Sequence, residues 1–324
     1  MQVRNLIRCS IAAAACCLLQ SVSMNVAAGG RIIDTHIHLY QVTRPGGVPY
    51  PSPQDSPIIY RDVLPPEYEA LARENGIRAS GVIEASPLVE DNQWILDLLG
   101  NDSFFPFFAG SLEIGSDDFI ANLDRFSANR RFVGIRGFLW SPDILLDAAQ
   151  LRDLDELARR GMTLDIISRG TKNPKEQVQA LCTAVPDLKI IIDHLGGAKV
   201  PTDDPAFDPN WEQEIRSLAA ACPNVYMKFS SFYDMYAPGD VVFPAPTDLA
   251  AYKAHFDVLM SAFGSDRMIW GSNWPVITLH GTFEAQIAIA EEYLGRFGTA
   301  VRDKVMFRNA LMFYRRHVPN GHDH

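Results

Sequence analysis

The sequence predicts an α/β fold, a single closed (β/α)8 (TIM) barrel, on three observations. Eight short apolar segments rich in Ile, Val and Phe each lead into a helical pattern, and that alternation calls for parallel pairing. The length of 324 residues suits one large domain or two small ones, and no interdomain linker or internal repeat interrupts the run. No Gly-rich phosphate loop follows the first strand, so the rival open doubly wound sheet lacks its usual signature.

Residues 1–28 read as a signal peptide ahead of the barrel domain at 29–324. Arg4 and Arg8 precede an apolar run at 9–22, and Val26-Ala27-Ala28 offers small residues for cleavage before Gly29. The run is shorter than the roughly 20 residues a membrane span needs. Export to periplasm or medium is therefore expected. Cys9, Cys16 and Cys17 leave with this segment, while Cys182 and Cys222 remain. That even pair would form one disulfide in an oxidising space, but the favoured expectation is two buried thiols. The formal charge of −10 becomes two units more negative when Arg4 and Arg8 are lost. Such a balance argues against nucleic-acid and anionic-membrane partners and leaves a small molecule as the expected one.

The first strand lies in residues 31–40, RIIDTHIHLY. Side chains two apart on a strand share a face, so His36 and His38 point the same way, with Asp34 expected one step deeper on that side. The Pro- and Gly-rich stretch 43–66 is a long ordered loop or flap. Pro65-Pro66 then opens a helix that Gly76 ends. A strand at 79–86 and a helix at 91–99 follow, then a strand at 104–112 and a helix capped by Ser116-Asp117-Asp118. Strands at 132–138, 163–168 and 189–195 alternate with helices at 148–160, 175–185 and 211–222. The strand at 225–229 leads to a helix at 249–263, and the last strand, 268–273, to helices at 282–296 and 299–313.

In such barrels chemistry sits at the C-terminal ends of the strands. Those ends carry His36 and His38, Glu84, Arg136, His194, Lys228 with Ser230, and Asn273. A lone histidine or lysine at a strand end is usually a satisfied hydrogen-bond partner. Six strands that each deliver such a group to one mouth point instead to a functional site.

The same residues carry a family resemblance. DTHIHLY, FVGIRGF, IIIDHLGG, VYMKFSSF and MIWGSNWPV, in that order, resemble the amidohydrolase-2 branch of the amidohydrolase superfamily. The likeness is nearest to its sugar-lactone and dicarboxylate-lactone hydrolases. It implies a (β/α)8 barrel in which strand-1 histidines, a later histidine and a strand-8 acid build a hydrolytic centre, with a divalent metal in some members and none in others. By this resemblance His36, His38 and His194 are the family's histidines, and Arg136 and Lys228 hold substrate oxygens. Glu84 stands where the family often has Gln. Asn273 stands where it often has Asp, the general base and a metal ligand.

These expectations make the protein a lactone hydrolase that works by water attack. His36, His38, His194, Glu84 and Asn273 are its catalytic candidates, and Arg136, Lys228 and Ser230 its substrate-binding candidates. Asn273 is expected to donate to the water or developing oxyanion, and Glu84 or a histidine to take the proton. One divalent metal such as zinc, if bound, would sit on His36, His38 and His194. An amide in place of the acid counts against it. A metal-dependent decarboxylase and a non-catalytic ligand-binding barrel are the other readings.

Overall fold

The computed structural model describes residues 31–137, 146–167, 174–200, 209–236 and 244–315. The expected signal peptide at 1–28, the polar tail at 317–324 and part of the loop after the seventh strand lie outside them. Eight strands run β1 (Ile32–Ile37), β2 (Ile77–Ile83), β3 (Phe107–Gly110), β4 (Phe132–Gly137), β5 (Thr163–Ile166), β6 (Lys189–Ile192), β7 (Val225–Ser230) and β8 (Met268–Gly271). They pair in sequence order, each parallel to the next. Past the regular ends, Asn273 donates its backbone N–H to the His36 carbonyl at 2.8 Å, and His38 donates to the Trp274 carbonyl at 2.9 Å. Those bonds join the last strand to the first and make the sheet a barrel.

A helix follows each strand: α1 (Pro65–Glu74), α2 (Val89–Leu99), α3 (Phe119–Ser127), α4 (Ala148–Arg159), α5 (Pro174–Ala184), α6 (Pro209–Ala221), α7 (Lys253–Phe263) and α8 (Phe283–Gly295). Local chemistry sets their starts. Prolines open α1, and the Asp147 carboxylate accepts from the Gln150 N–H to cap α4. The helix expected at 249–263 begins as a 3-10 turn, Leu249–Ala251, before α7. The helix expected at 299–313 is α9 (Thr299–Asp303), a π-helical turn at Lys304–Arg308 and α10 (Asn309–Phe313).

The interior is layered. At the N-terminal end Ile33, Phe107, Val133, Ile191 and Ile269 pack with Phe313 and Tyr314, so the chain's end plugs the barrel floor. The larger apolar shell lies between sheet and helices.

Two expectations are corrected. Cys182 and Cys222 form a disulfide, with Cα atoms 6.0 Å apart. They are 40 residues apart, about one strand-plus-helix unit, so they fall at matching ends of the neighbours α5 and α6. Asp34, expected beside the imidazoles, turns away: its carboxylate accepts from the Tyr68 hydroxyl of α1 and the Ser272 N–H, both at 2.8 Å. The β1–β2 register shifts between Asp34 and Ile37, and that irregularity breaks the simple alternation.

Candidate active site

β1 delivers two imidazoles to the mouth. His36 and His38 bring their Nε2 atoms to 3.3 Å, and the His194 ring lies 4.5 Å from that of His36 between centroids. Asn273, just past β8, places Oδ1 3.1 Å from His38 Nε2. Glu84, just past β2, points inward: its Oε1 lies 3.4 Å from Arg136 Nε of β4. Ser230 places its hydroxyl 3.0 Å from His194 Nδ1. Six strand ends thus bring together all the polar groups expected from the sequence.

Lys228 lies deeper. It is fully buried, with Nζ 2.5 Å from Asp165, 3.1 Å from Asp193 and 3.3 Å from His36 Nδ1. The two carboxylates hold the ammonium, which organises the site from below. Asp165 also accepts from the Tyr314 hydroxyl at 2.8 Å. Burial pushes the Asp165 carboxyl up. For Asp193, burial is outweighed by Lys228, His194 and Arg136, which hold that carboxyl below its ordinary value.

Burial disfavours the charged form of all three imidazoles. Burial, then the Arg136 charge, lowers His38 to a pKa of about 3. Burial also drives His36 and His194 well below the ordinary value, with Lys228 next for His36 and His36 next for His194. His38 Nδ1 faces the Ile83 carbonyl at 3.0 Å. A carbonyl only accepts, so the proton sits on Nδ1 and Nε2 carries a lone pair.

Backbone strain collects at the same rim. His194, Leu195, Ser231 and Asn273 all adopt left-handed φ of 55°–69°, each within a few residues past β6, β7 or β8. Such conformations, unfavourable for side chains other than glycine, cluster where geometry serves function.

The residues fit a divalent cation. His38 Nε2 carries a lone pair, yet the Asn273 amide oxygen faces it at 3.1 Å with no proton between them. His36 Nε2 completes the group at 3.3 Å. Donor atoms at the corners of a tetrahedron around zinc stand about 3.4 Å apart, so these spacings suit a cation where they would otherwise repel. Behind the rings, Ile83 O backs His38, and an Asp193 oxygen lies 3.4 Å from His36 Nδ1, the kind of partner that orients metal-binding histidines. His36, Asp193 and His194 also offer donor atoms within 4.8 Å of one another. The expected oxyanion role of Asn273 fits less well, because its Nδ2 donates to Ser231 at 2.8 Å.

Residues 33–316 match the family model described as amidohydrolase. The chain belongs to the amidohydrolase-2 family. It is a hydrolase of that family, and the sequence motifs and barrel both agree with it. This amidohydrolase is 30% identical over 303 residues to the L-fucono-1,5-lactonase of Burkholderia ambifaria, covering 90% of this chain and 98% of the relative. It is 23% identical to the L-fucono-1,5-lactonase of Burkholderia multivorans, covering 88% and 96%. A crystal structure of an amidohydrolase from Burkholderia multivorans with bound zinc superposes with a TM-score of 0.73 at 21% identity, over 88% of this chain and 99% of the other.

The sequence reading missed Asp165, Asp193, Ser231 and Tyr314. Two signals were present: an aspartate inside the apolar runs TLDI and IIID is unusual for a strand buried on both faces. Nothing local marks Tyr314, which reaches Asp165 only because the C-terminal segment folds back across the barrel floor.

Proposed function

We propose that this amidohydrolase hydrolyses a small sugar lactone. One observation carries the reading: three imidazoles meet at the barrel mouth beside an Arg136–Glu84 pair. The two fuconolactonase relatives support the substrate class. Water would attack the lactone carbonyl carbon, the ring C–O bond would break, and the freed ring oxygen would take the proton given up by the water, leaving a hydroxy acid.

His194 suits the proton-transfer step. It is half-buried while His36 and His38 are buried, and Ser230 fixes its ring through Nδ1. Glu84 stands ready as a second acceptor. Arg136 would hold the carbonyl or carboxyl oxygen of the substrate, a task its planar fork suits. Lys228 and Ser230, expected to touch substrate, are better placed to position His36, Asp193 and His194. His36, His38 and the Asn273 oxygen, with His194 nearby, would hold one divalent cation. Such an ion supplies Lewis acidity toward water or a carbonyl. Export remains part of the proposal, and the Cys182–Cys222 disulfide supports an oxidising compartment.

The test is a panel of purified lactones, including L-fucono-1,5-lactone and L-rhamnono-γ-lactone, read by acid release with a pH indicator. Turnover of a sugar lactone is expected, without carbon dioxide. Release of carbon dioxide from aromatic acids, with every lactone inert, would replace this reading by decarboxylation.

A further inference from the structure

We infer that Ser231 is a positioning residue that orients the Asn273 amide, so that an asparagine can serve a cation site at this strand end. The inference rests on the site being a cation site and adds a residue to it.

Three observations converge on Ser231. Its backbone sits at φ 55°, a conformation glycine adopts freely and serine does not. The ordinary reason for a serine here is absent: it precedes the 3-10 turn Phe232–Met235, yet its side chain makes no capping bond. The hydroxyl instead accepts from Asn273 Nδ2 at 2.8 Å, and both residues are buried. The strained backbone breaks the strand's alternation. As a result, the consecutive serines Ser230 and Ser231 serve opposite neighbours, His194 after β6 and Asn273 after β8.

An amide, unlike a carboxylate, has two unequal ends. With its nitrogen held by Ser231, Asn273 turns its oxygen toward His38 Nε2 and the place a cation would take. Without a cation, oxygen and lone pair would repel, and the opposite orientation becomes the better one: Nδ2 would donate to His38 and the oxygen would accept from Ser231. A hydroxyl can donate or accept, so serine satisfies the amide both ways. Neither glycine nor alanine can. With aspartate at 273, an oxygen faces the cation in either orientation and no partner has to choose.

The test is a double-mutant cycle in zinc affinity, measured by titrating metal-stripped full-length protein with zinc chloride. Ser231→Gly relieves the left-handed backbone and keeps the fold, which a melting curve checks; Ser231→Ala serves as the second variant. Ser231→Gly is expected to weaken zinc binding about tenfold, the low end for losing a residue that orients a ligand. In the Asn273→Asp background the same change is expected to matter less than about twofold, because the partners are no longer coupled. Wild-type affinity in Ser231→Gly, equal losses in both backgrounds, or no zinc binding by the wild type would each overturn the inference. Zinc titration involves no lactone, so an inert lactone panel leaves it standing, and a failed cycle leaves lactone hydrolysis standing.

Discussion

At the scale of single residues, the proposed chemistry needs uncharged imidazoles, and burial favours that form. Removing the proposed proton-transfer groups should show directly in turnover. His194→Ala and Glu84→Gln are each expected to lower kcat/KM at least about tenfold, the low side of what a positioned acid or base supplies. Steady-state assays on an active lactone check this, and full activity in both variants would end the assignment. The same burial sets a pH dependence of stability. His38 falls from 6.5 to about 3, and His36 and His194 shift the same way, so below pH 6.5 the unfolded chain binds more protons than the folded one. Stability should be full above about pH 7 and fall as the pH drops from 6.5 toward 3. Asp34, raised to about 6 chiefly by burial, acts oppositely: protonation favours the fold as pH falls from 6 toward 3.8. Asp165, also pushed up by burial, acts with Asp34, while Asp193, held down, acts with the three imidazoles, so four groups against two leave a net loss. Urea unfolding should show a steady midpoint above about pH 7 that falls from about pH 6.5 to 4.5, and a constant midpoint would mean the rings are charged in the fold.

At the scale of elements, the disulfide and the barrel seam each carry a measurable load. The Cys182–Cys222 bridge closes a loop of 40 residues between α5 and α6. Chain entropy assigns such a loop about 4 kcal/mol, and removals commonly cost 2–5 kcal/mol. Cys182→Ser with Cys222→Ser should lower stability by about that much, read by denaturant melts beside a reduced wild-type sample. At the seam, a methyl group on Gly271 would stand 2.9 Å from His36 Cβ and 3.1 Å from the His36 nitrogen. Gly271→Ala should cost about 1–3 kcal/mol through overpacking, and it should also weaken zinc binding by shifting His36. Loss of stability with unchanged zinc affinity would show that β1 yields elsewhere. The elements themselves were legible because helix starts, strand composition and the strand–helix alternation are local signals. The strand ends followed from them, and with them His36, His38, Glu84, Arg136, His194, Lys228 and Asn273. What sequence could not give was orientation. The register shift that turns Asp34 outward, the left-handed turn at Ser231 and the depth of Lys228 all depend on neighbouring strands.

At the scale of the whole molecule, floor and mouth are connected through charge. The Tyr314 ring stacks on Phe107, with centroids 4.3 Å apart and planes within 10°, as part of the apolar plug. Its hydroxyl passes through that plug to Asp165, which holds Lys228, which in turn holds Asp193, 3.4 Å from His36 Nδ1. Burial and the nearby Asp165 charge keep the phenol far above its ordinary pKa, so it remains a donor. Tyr314→Phe retains the stack and deletes only the hydroxyl. It leaves a buried carboxylate short of one donor, which should cost about 1.5–3 kcal/mol, the range for hydrogen bonds to charged groups. Lys228 still holds Asp165 in that variant, so KM should change little while the unfolding midpoint falls. An unchanged midpoint would mean Asp165 finds its hydrogen bond elsewhere, and the C-terminal segment would then be only an apolar lid on the barrel floor. A fall in both stability and zinc affinity would show that the plug reaches the imidazoles through Asp165 and Lys228. The fold would then need its last helix for the site as well as for its core.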